Sequence, residues 1–106
     1  MATGVLGTSN LTAATNTVLY TCPSNTFSVA TVSICNRSNS AITARIALAA
    51  TSSPTAAEWI EYDTEILPKG VLERTGLVLE ASRNLVVYTN TANTSAVAYG
   101  IETPTS

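Results

Sequence analysis

Turn-forming residues interrupt this chain roughly every eight to twelve positions, and between them apolar and polar side chains alternate with a period of two. No interval between breaks has room for the crossover helix that parallel strands require. The strands must therefore run antiparallel and close into a sandwich or barrel. "TVLYTC" (17–22) reads as a strand stopped by Pro23. "FSVATVSICN" (27–36) sets Val29 and Thr31 on one face and Ala30, Val32 and Ile34 on the other. In "AITARIALA", Ile42, Ala44, Ile46 and Leu48 share a side and Arg45 lies opposite, the pattern of one packed and one solvated face. "LPKG" (67–70) is a turn by composition, and "VLERTGLVLE" reads as two short strands around Thr75 and Gly76. "NLVVYTN" and "SAVAYGIE" read as a closing pair across "TANT". The one helical signal is "SPTAAEWI", with Ser53 as N-cap and Pro54 in the first helical position. The expected fold is all-β: an antiparallel β-sandwich of about seven to eight strands, immunoglobulin-like or jelly-roll in form. The Cys-Trp-Cys order of antibody domains is missing, because Trp59 follows both cysteines.

A length of 106 residues suits a single domain. Residues 17–102 form the expected sandwich, 1–16 an arm or first strand, and 103–106 a frayed tail. Charged residues make up 11% of the chain, the net charge is −2, and there is no histidine. So weak and slightly negative a field offers nothing to nucleic acid or an anionic membrane, and neither is expected as a partner. No apolar run approaches the roughly 18 residues of a membrane span, and "MATGVLGTSN" does not read as a secretory leader. Synthesis in a cytoplasm is the expectation. A tight hairpin at Pro23 and Ser24 would set Cys22 opposite a residue near Phe27, several rungs from Cys35, so two separate thiols are expected. Cys35, among apolar strand residues, reads as an inert core thiol. The Asn-x-Ser/Thr sequons at Asn10, Asn36 and Asn93 carry little weight in a chain so rich in Asn and Thr. The first 36 residues hold no charged side chain, and part of that surface is expected to be covered by another chain.

The acids concentrate in "EWIEYDTEI" (58–66). Read as an unbroken strand, it sends Trp59, Glu61, Asp63 and Glu65 to one face and Glu58, Ile60, Tyr62, Thr64 and Ile66 to the other. Carboxylates two residues apart would then stand about 6.5–7 Å from one another. A carboxylate pair for glycoside hydrolysis needs one member raised by burial, and calcium sites draw on curved loops with Gly and backbone carbonyls. A single open strand supplies neither. The plainer reading is a solvated or edge strand whose acids meet Lys69, Arg74 or Arg83. Without histidine, Ser-His-Asp and Cys-His arrangements and most zinc sites are also out of reach. No catalytic, cofactor-binding or metal-binding residues are expected. Trp59, Tyr62, Glu61 and Asp63 mark a possible ligand surface, with Tyr20, Tyr88 and Tyr99 as further aromatics. Arg37, Arg45, Leu6 and Leu11 mark a possible interface between chains.

Several short motifs recur in order: Tyr20, Thr21 and Pro23; Cys35, Asn36, Arg37 and Ser38; Ile60, Glu61, Tyr62 and Asp63; Glu73 to Gly76; and a close on Tyr99, Gly100, Ile101 and Glu102. Their order and spacing over residues 17–102 resemble a small β domain found in virion structural proteins of tailed bacteriophages, particularly phages of cyanobacteria. The resemblance implies a non-enzymatic component of a tail, neck or baseplate, built into the virion in the host cytoplasm beside other virion proteins. It implies a homo-oligomer, trimer or higher. Two alternatives stay open: decoration of the capsid surface as a cement protein, or a carbohydrate- or receptor-binding module of a fibre that takes a host glycan through Trp59 and the tyrosines.

Overall fold

The computed structural model describes residues 3–105. Eight strands and one turn of 3-10 helix follow one another: β1 (Thr3–Asn10), β2 (Thr17–Thr21), β3 (Thr26–Asn36), β4 (Ile42–Ala49), the 3-10 turn (Ala56–Glu58), β5 (Trp59–Ile66), β6 (Val71–Leu79), β7 (Asn84–Thr89) and β8 (Thr94–Pro104). They form two four-stranded antiparallel sheets, one ordered β1-β8-β3-β6 and the other β2-β7-β4-β5. The fold is the all-β sandwich read from the alternation, and its strand order selects the jelly roll.

The topology is that of one long hairpin rolled up. β1 pairs with β8, β2 with β7, β3 with β6 and β4 with β5, all antiparallel. Rolling then brings β3 against β8 and β4 against β7, which closes the two sheets. Only β4 and β5 are joined within one sheet; every other connection crosses between sheets. Two expected local hairpins are therefore arches. β2 and β3 leave the Pro23 turn into opposite sheets, as do β7 and β8 across "TANT". In an arch the flanking strands satisfy their backbone groups on distant partners, so turn composition alone does not reveal it.

Other expectations shift at their edges. The 3-10 turn starts behind Thr55, not Ser53, and is held by the Glu58 carboxylate accepting from Thr55 N–H at 2.9 Å. "VLERTGLVL" is one strand with a register shift, opposite Ala30 to Val32, rather than two. Gly76, at φ 70, occupies this bulge without the strain a side chain would meet. Segment 1–16 takes the first-strand alternative from Thr3 onward, with Met1 and Ala2 outside the described residues. The tail is ordered further than expected: Thr103 and Pro104 pair with Phe27 and Thr26, and Thr105 N–H reaches Asn25 O at 3.0 Å. Ser106 lies outside the described residues.

The core fills the space between the sheets. Ala30, Val32 and Ile34 from β3, Ile42, Ala44 and Ile46 from β4, Leu85 and Val87 from β7, and Ala96 and Ala98 from β8 meet there. Leu48 packs partly buried against the same cluster. Period-two alternation thus places the two central strand faces as read from the sequence. Cys22 and Cys35 are both free thiols, but Cys35 is not the core thiol it was expected to be. Cys22 is the core thiol, its Sγ 3.4 Å from Thr26 O, while Cys35 stands half-buried on the outer face of β3.

A tyrosine–glutamate pair is buried between the sheets. Tyr20 on β2 donates its hydroxyl to Glu102 on β8, and both residues are buried. Burial first, and the bond to Glu102 second, raise the Tyr20 pKa above its ordinary value. A raised phenol contributes stability that is intact below the unfolded-state pKa of about 10 and is lost as pH climbs from there towards the folded-state value. Tyr20 is therefore expected to ionise only as the chain unfolds in alkali. Tyrosinate absorbance and circular dichroism followed together against pH check this. Tyr20→Phe should flatten the alkaline loss while lowering stability at neutral pH.

Candidate functional site

The acids of β5 do not form a row. Between the rungs Ala44–Thr64 and Ala47–Trp59, β5 advances five residues while β4 advances three. Two register shifts absorb the surplus, and Asp63 sits at φ 52 within them. The shifts undo the expected alternation. Glu61 bonds Arg74 on β6 of the other sheet, and it also accepts from the Thr64 hydroxyl at 2.8 Å. Asp63 turns to Arg45, 2.7 Å from Nε and 3.3 Å from Nη2. Tyr62 comes round to the face of Trp59, their ring centroids 5.6 Å apart at an interplanar angle of 72°.

Glu58, Glu61 and Asp63 thus have separate tasks. Glu58 holds the 3-10 turn and accepts from Ala50 N–H at 3.1 Å and Arg83 at 3.3 Å. The Thr55 and Ala50 backbone donors, with help from Arg83, keep its carboxyl below the usual range. The expected meetings of these acids with Arg74 and Arg83 occur, whereas Lys69 donates to Arg37 O at 2.9 Å instead. Among the described residues, no three of His, Cys, Asp and Glu are grouped so as to hold a metal ion.

The outer face of the β2-β7-β4-β5 sheet is built around Arg45. Its guanidinium carbon lies 4.1 Å from the Tyr62 ring centroid and 4.4 Å from that of Tyr88, with Trp59 at 5.9 Å. Cation–π attraction holds the rings, and the Asp63 hydrogen bond raises the Arg45 pKa further above its already high value. Beneath, Trp59 packs on Ala47, Ala49 and Val86. A hollow of about 370 Å³ opens beside it, lined by Ala56, Trp59 and Tyr62.

The outer face of the β1-β8-β3-β6 sheet differs in kind. One rung runs Val78, Val29, Ile101 and Thr3; the next holds Thr31, Tyr99 and Val5; others carry Phe27, Cys35 and Val71. Val5 is 66% exposed, Val78 59% and Ile101 48%. Of the large apolar side chains that are exposed, Val5, Phe27, Val71, Val78, Tyr99 and Ile101 all belong to this face. Its charge comes from Glu73, which is already engaged by the Tyr99 hydroxyl at 2.9 Å.

The expected interface residues scatter. Leu11 is buried in the core and Leu6 packs partly buried against it, so neither is presented to a partner. Arg37 reaches Asn10 Oδ1 at one end of the sandwich, and Arg45 belongs to the aromatic cluster on the opposite sheet from the apolar face. Sequence reading missed Val78, Ile101 and Val5 as surface residues. Their signal was present: β-branched residues on the face of a strand opposite its core positions. Together these features define a jelly-roll sandwich with one apolar outer face and one aromatic, arginine-centred outer face. No family model, curated protein or solved structure matches the chain.

Proposed function

We propose that this chain is a non-enzymatic structural protein of a bacteriophage particle, assembling with further copies of itself through the outer face of the β1-β8-β3-β6 sheet. The observation that carries this reading is that face: contiguous rungs of exposed Val, Ile, Phe and Tyr, with the Glu73 carboxylate accepting a hydrogen bond from the Tyr99 hydroxyl. Water-facing sheets of free monomers are not built this way. A surface with so little charge has no pattern to select an oppositely charged partner, while a second identical face offers it matching apolar area. Four strands about 4.8 Å apart and some ten residues long offer on the order of 600 Å² before side-chain relief is added. That approaches the roughly 800 Å² per partner of a standard interface.

The phage setting rests on the resemblance of residues 17–102 to virion domains, and on fold analogy, since jelly rolls serve in viral capsids as well as lectins. Placement on the tail, neck or baseplate is the first reading and capsid decoration the second. Copies per particle separate them: a capsid-wide protein is present in hundreds, a neck or baseplate protein in dozens or fewer.

Val78→Asp combined with Ile101→Asp is the direct test. Both side chains are about half exposed, so the fold should survive with a stability change within about 1 kcal/mol. Sedimentation should show an oligomer for the natural chain and a monomer for the variant. A natural chain that stays monomeric at the highest attainable concentration would refute self-assembly through this face. Failure to find the chain in purified particles by mass spectrometry would remove the virion reading.

A further inference from the structure

We infer that the corner between Trp59 and Tyr62 is a binding site for a neutral sugar ring. This goes beyond the structural role and stands on the opposite sheet, independent of the apolar face. In an unbroken strand, residues three apart point to opposite sides. The register shifts in β5, with Asp63 at φ 52, bring Tyr62 beside Trp59 instead. A non-glycine residue in this conformation is strained, and bulges of this kind re-aim side chains at functional positions. The re-aimed ring is then fixed. Arg45 lies between Tyr62 and Tyr88, and Asp63 pins Arg45. A ligand therefore meets rings already in place and loses little ordering entropy on binding.

The chemistry of the corner selects the ligand. Its two rings meet at 72° over a hollow of about 370 Å³, towards the small end of small-molecule sites. Aromatic faces carry negative potential and attract the weakly positive C–H face of a pyranose. The Tyr62 hydroxyl and the Arg45–Asp63 pair beside it offer donors and acceptors for a perimeter of hydroxyls. A cationic ligand would be repelled by the guanidinium of Arg45, whose positive charge already sits on Tyr62 and Tyr88. Anionic ligands, including acidic sugars, approach Asp63 and Glu65 of β5 and Glu58 of the turn before it. A proline-rich peptide needs successive aromatic ridges, and this is a single corner.

Trp59 is the only tryptophan, so its fluorescence reports the site directly. The full-length protein is titrated with the methyl glycosides of glucose, galactose, mannose and N-acetylglucosamine, with maltose and cellobiose, and with sialic acid and a proline-rich peptide as contrasts. At least one neutral sugar should change the emission saturably, with millimolar affinity. Tyr62→Ala, at a position 57% exposed, should leave the circular dichroism unchanged and weaken binding at least tenfold. Tyr62→Phe, which keeps the ring over Arg45, should stay within a few-fold of the natural chain. A blank response to every neutral sugar overturns the proposal. So does tighter binding of the acidic sugar or the peptide, or equal binding by Tyr62→Ala.

Discussion

Gly100→Ala is expected to leave the chain unfolded or insoluble, with a loss of at least about 3 kcal/mol. Gly100 lies opposite Ala30 where the long strands β3 and β8 pair in the middle of their sheet. A Cβ at this position would sit 2.0 Å from Val29 O and 2.8 Å from Ala30 Cα. Both atoms belong to the backbone of the neighbouring strand, so no rotamer change relieves the overlap and the strands must part. Parting them breaks the pairing that closes the roll, and the apolar face carried on Val29, Tyr99 and Ile101 goes with it. Chemical denaturation followed by circular dichroism checks this, and a variant with the natural chain's midpoint would show that the two strands can separate locally without cost. Within the motif of Tyr99, Gly100, Ile101 and Glu102 each position thus has its own physical task. Tyr99 and Ile101 lie on the outer face, Glu102 holds Tyr20, and the glycine permits the close approach.

Asn36→Ala should cost about 2–4 kcal/mol, a large effect for a polar residue. The Asn36 side chain is fully buried and joins two turns at one end of the sandwich. Its Nδ2 donates to Ser40 O at 2.7 Å, Leu67 O at 3.1 Å and Ile66 O at 3.2 Å. Its Oδ1 accepts from Ser38 N–H at 3.0 Å and from the Ser38 hydroxyl at 2.6 Å. Removing the amide strands carbonyls that water reaches poorly, and each such orphan carries a desolvation penalty. Asn36→Asp sharpens the test, because it conserves shape while turning the donor into an acceptor among carbonyl oxygens. It should be at least as damaging as alanine at neutral pH. Urea midpoints at constant m-value measure both, and losses below about 1 kcal/mol would mean that the turns are held by their backbone bonds alone. The same burial takes Asn36 out of use as a glycosylation acceptor in the folded chain, although it heads a sequon.

Asn36 also illustrates what a linear reading leaves hidden. As part of "CNRS" it was visible as a motif, yet its acceptors Ile66 O and Leu67 O lie some thirty residues away. Tyr20 and Glu102 are 82 residues apart and likewise give no local sign of being partners. In β5, alternation was read correctly as strand but assigned the wrong faces to Tyr62, because the register shifts depend on how β4 lies alongside. Conversely, Ala30, Val32 and Ile34, or Ile42, Ala44 and Ile46, needed no partner to be recognised as inward.

The period of two, the short intervals between turn residues and the charge-free first 36 positions were enough to determine antiparallel strands, the two faces of β3 and β4 and a surface poor in charge. Those properties follow from local sterics and the alternation of side chains along an extended backbone. Tertiary structure alone decided that the Pro23 and "TANT" turns are arches, that Glu61 and Asp63 of β5 go to separate partners, and that Trp59 and Tyr62 meet. Each of these outcomes depends on the strand that supplies the neighbouring hydrogen bonds and on its register: for the arches that neighbour comes from the far end of the chain, and for β5 it is β4 with its two register shifts.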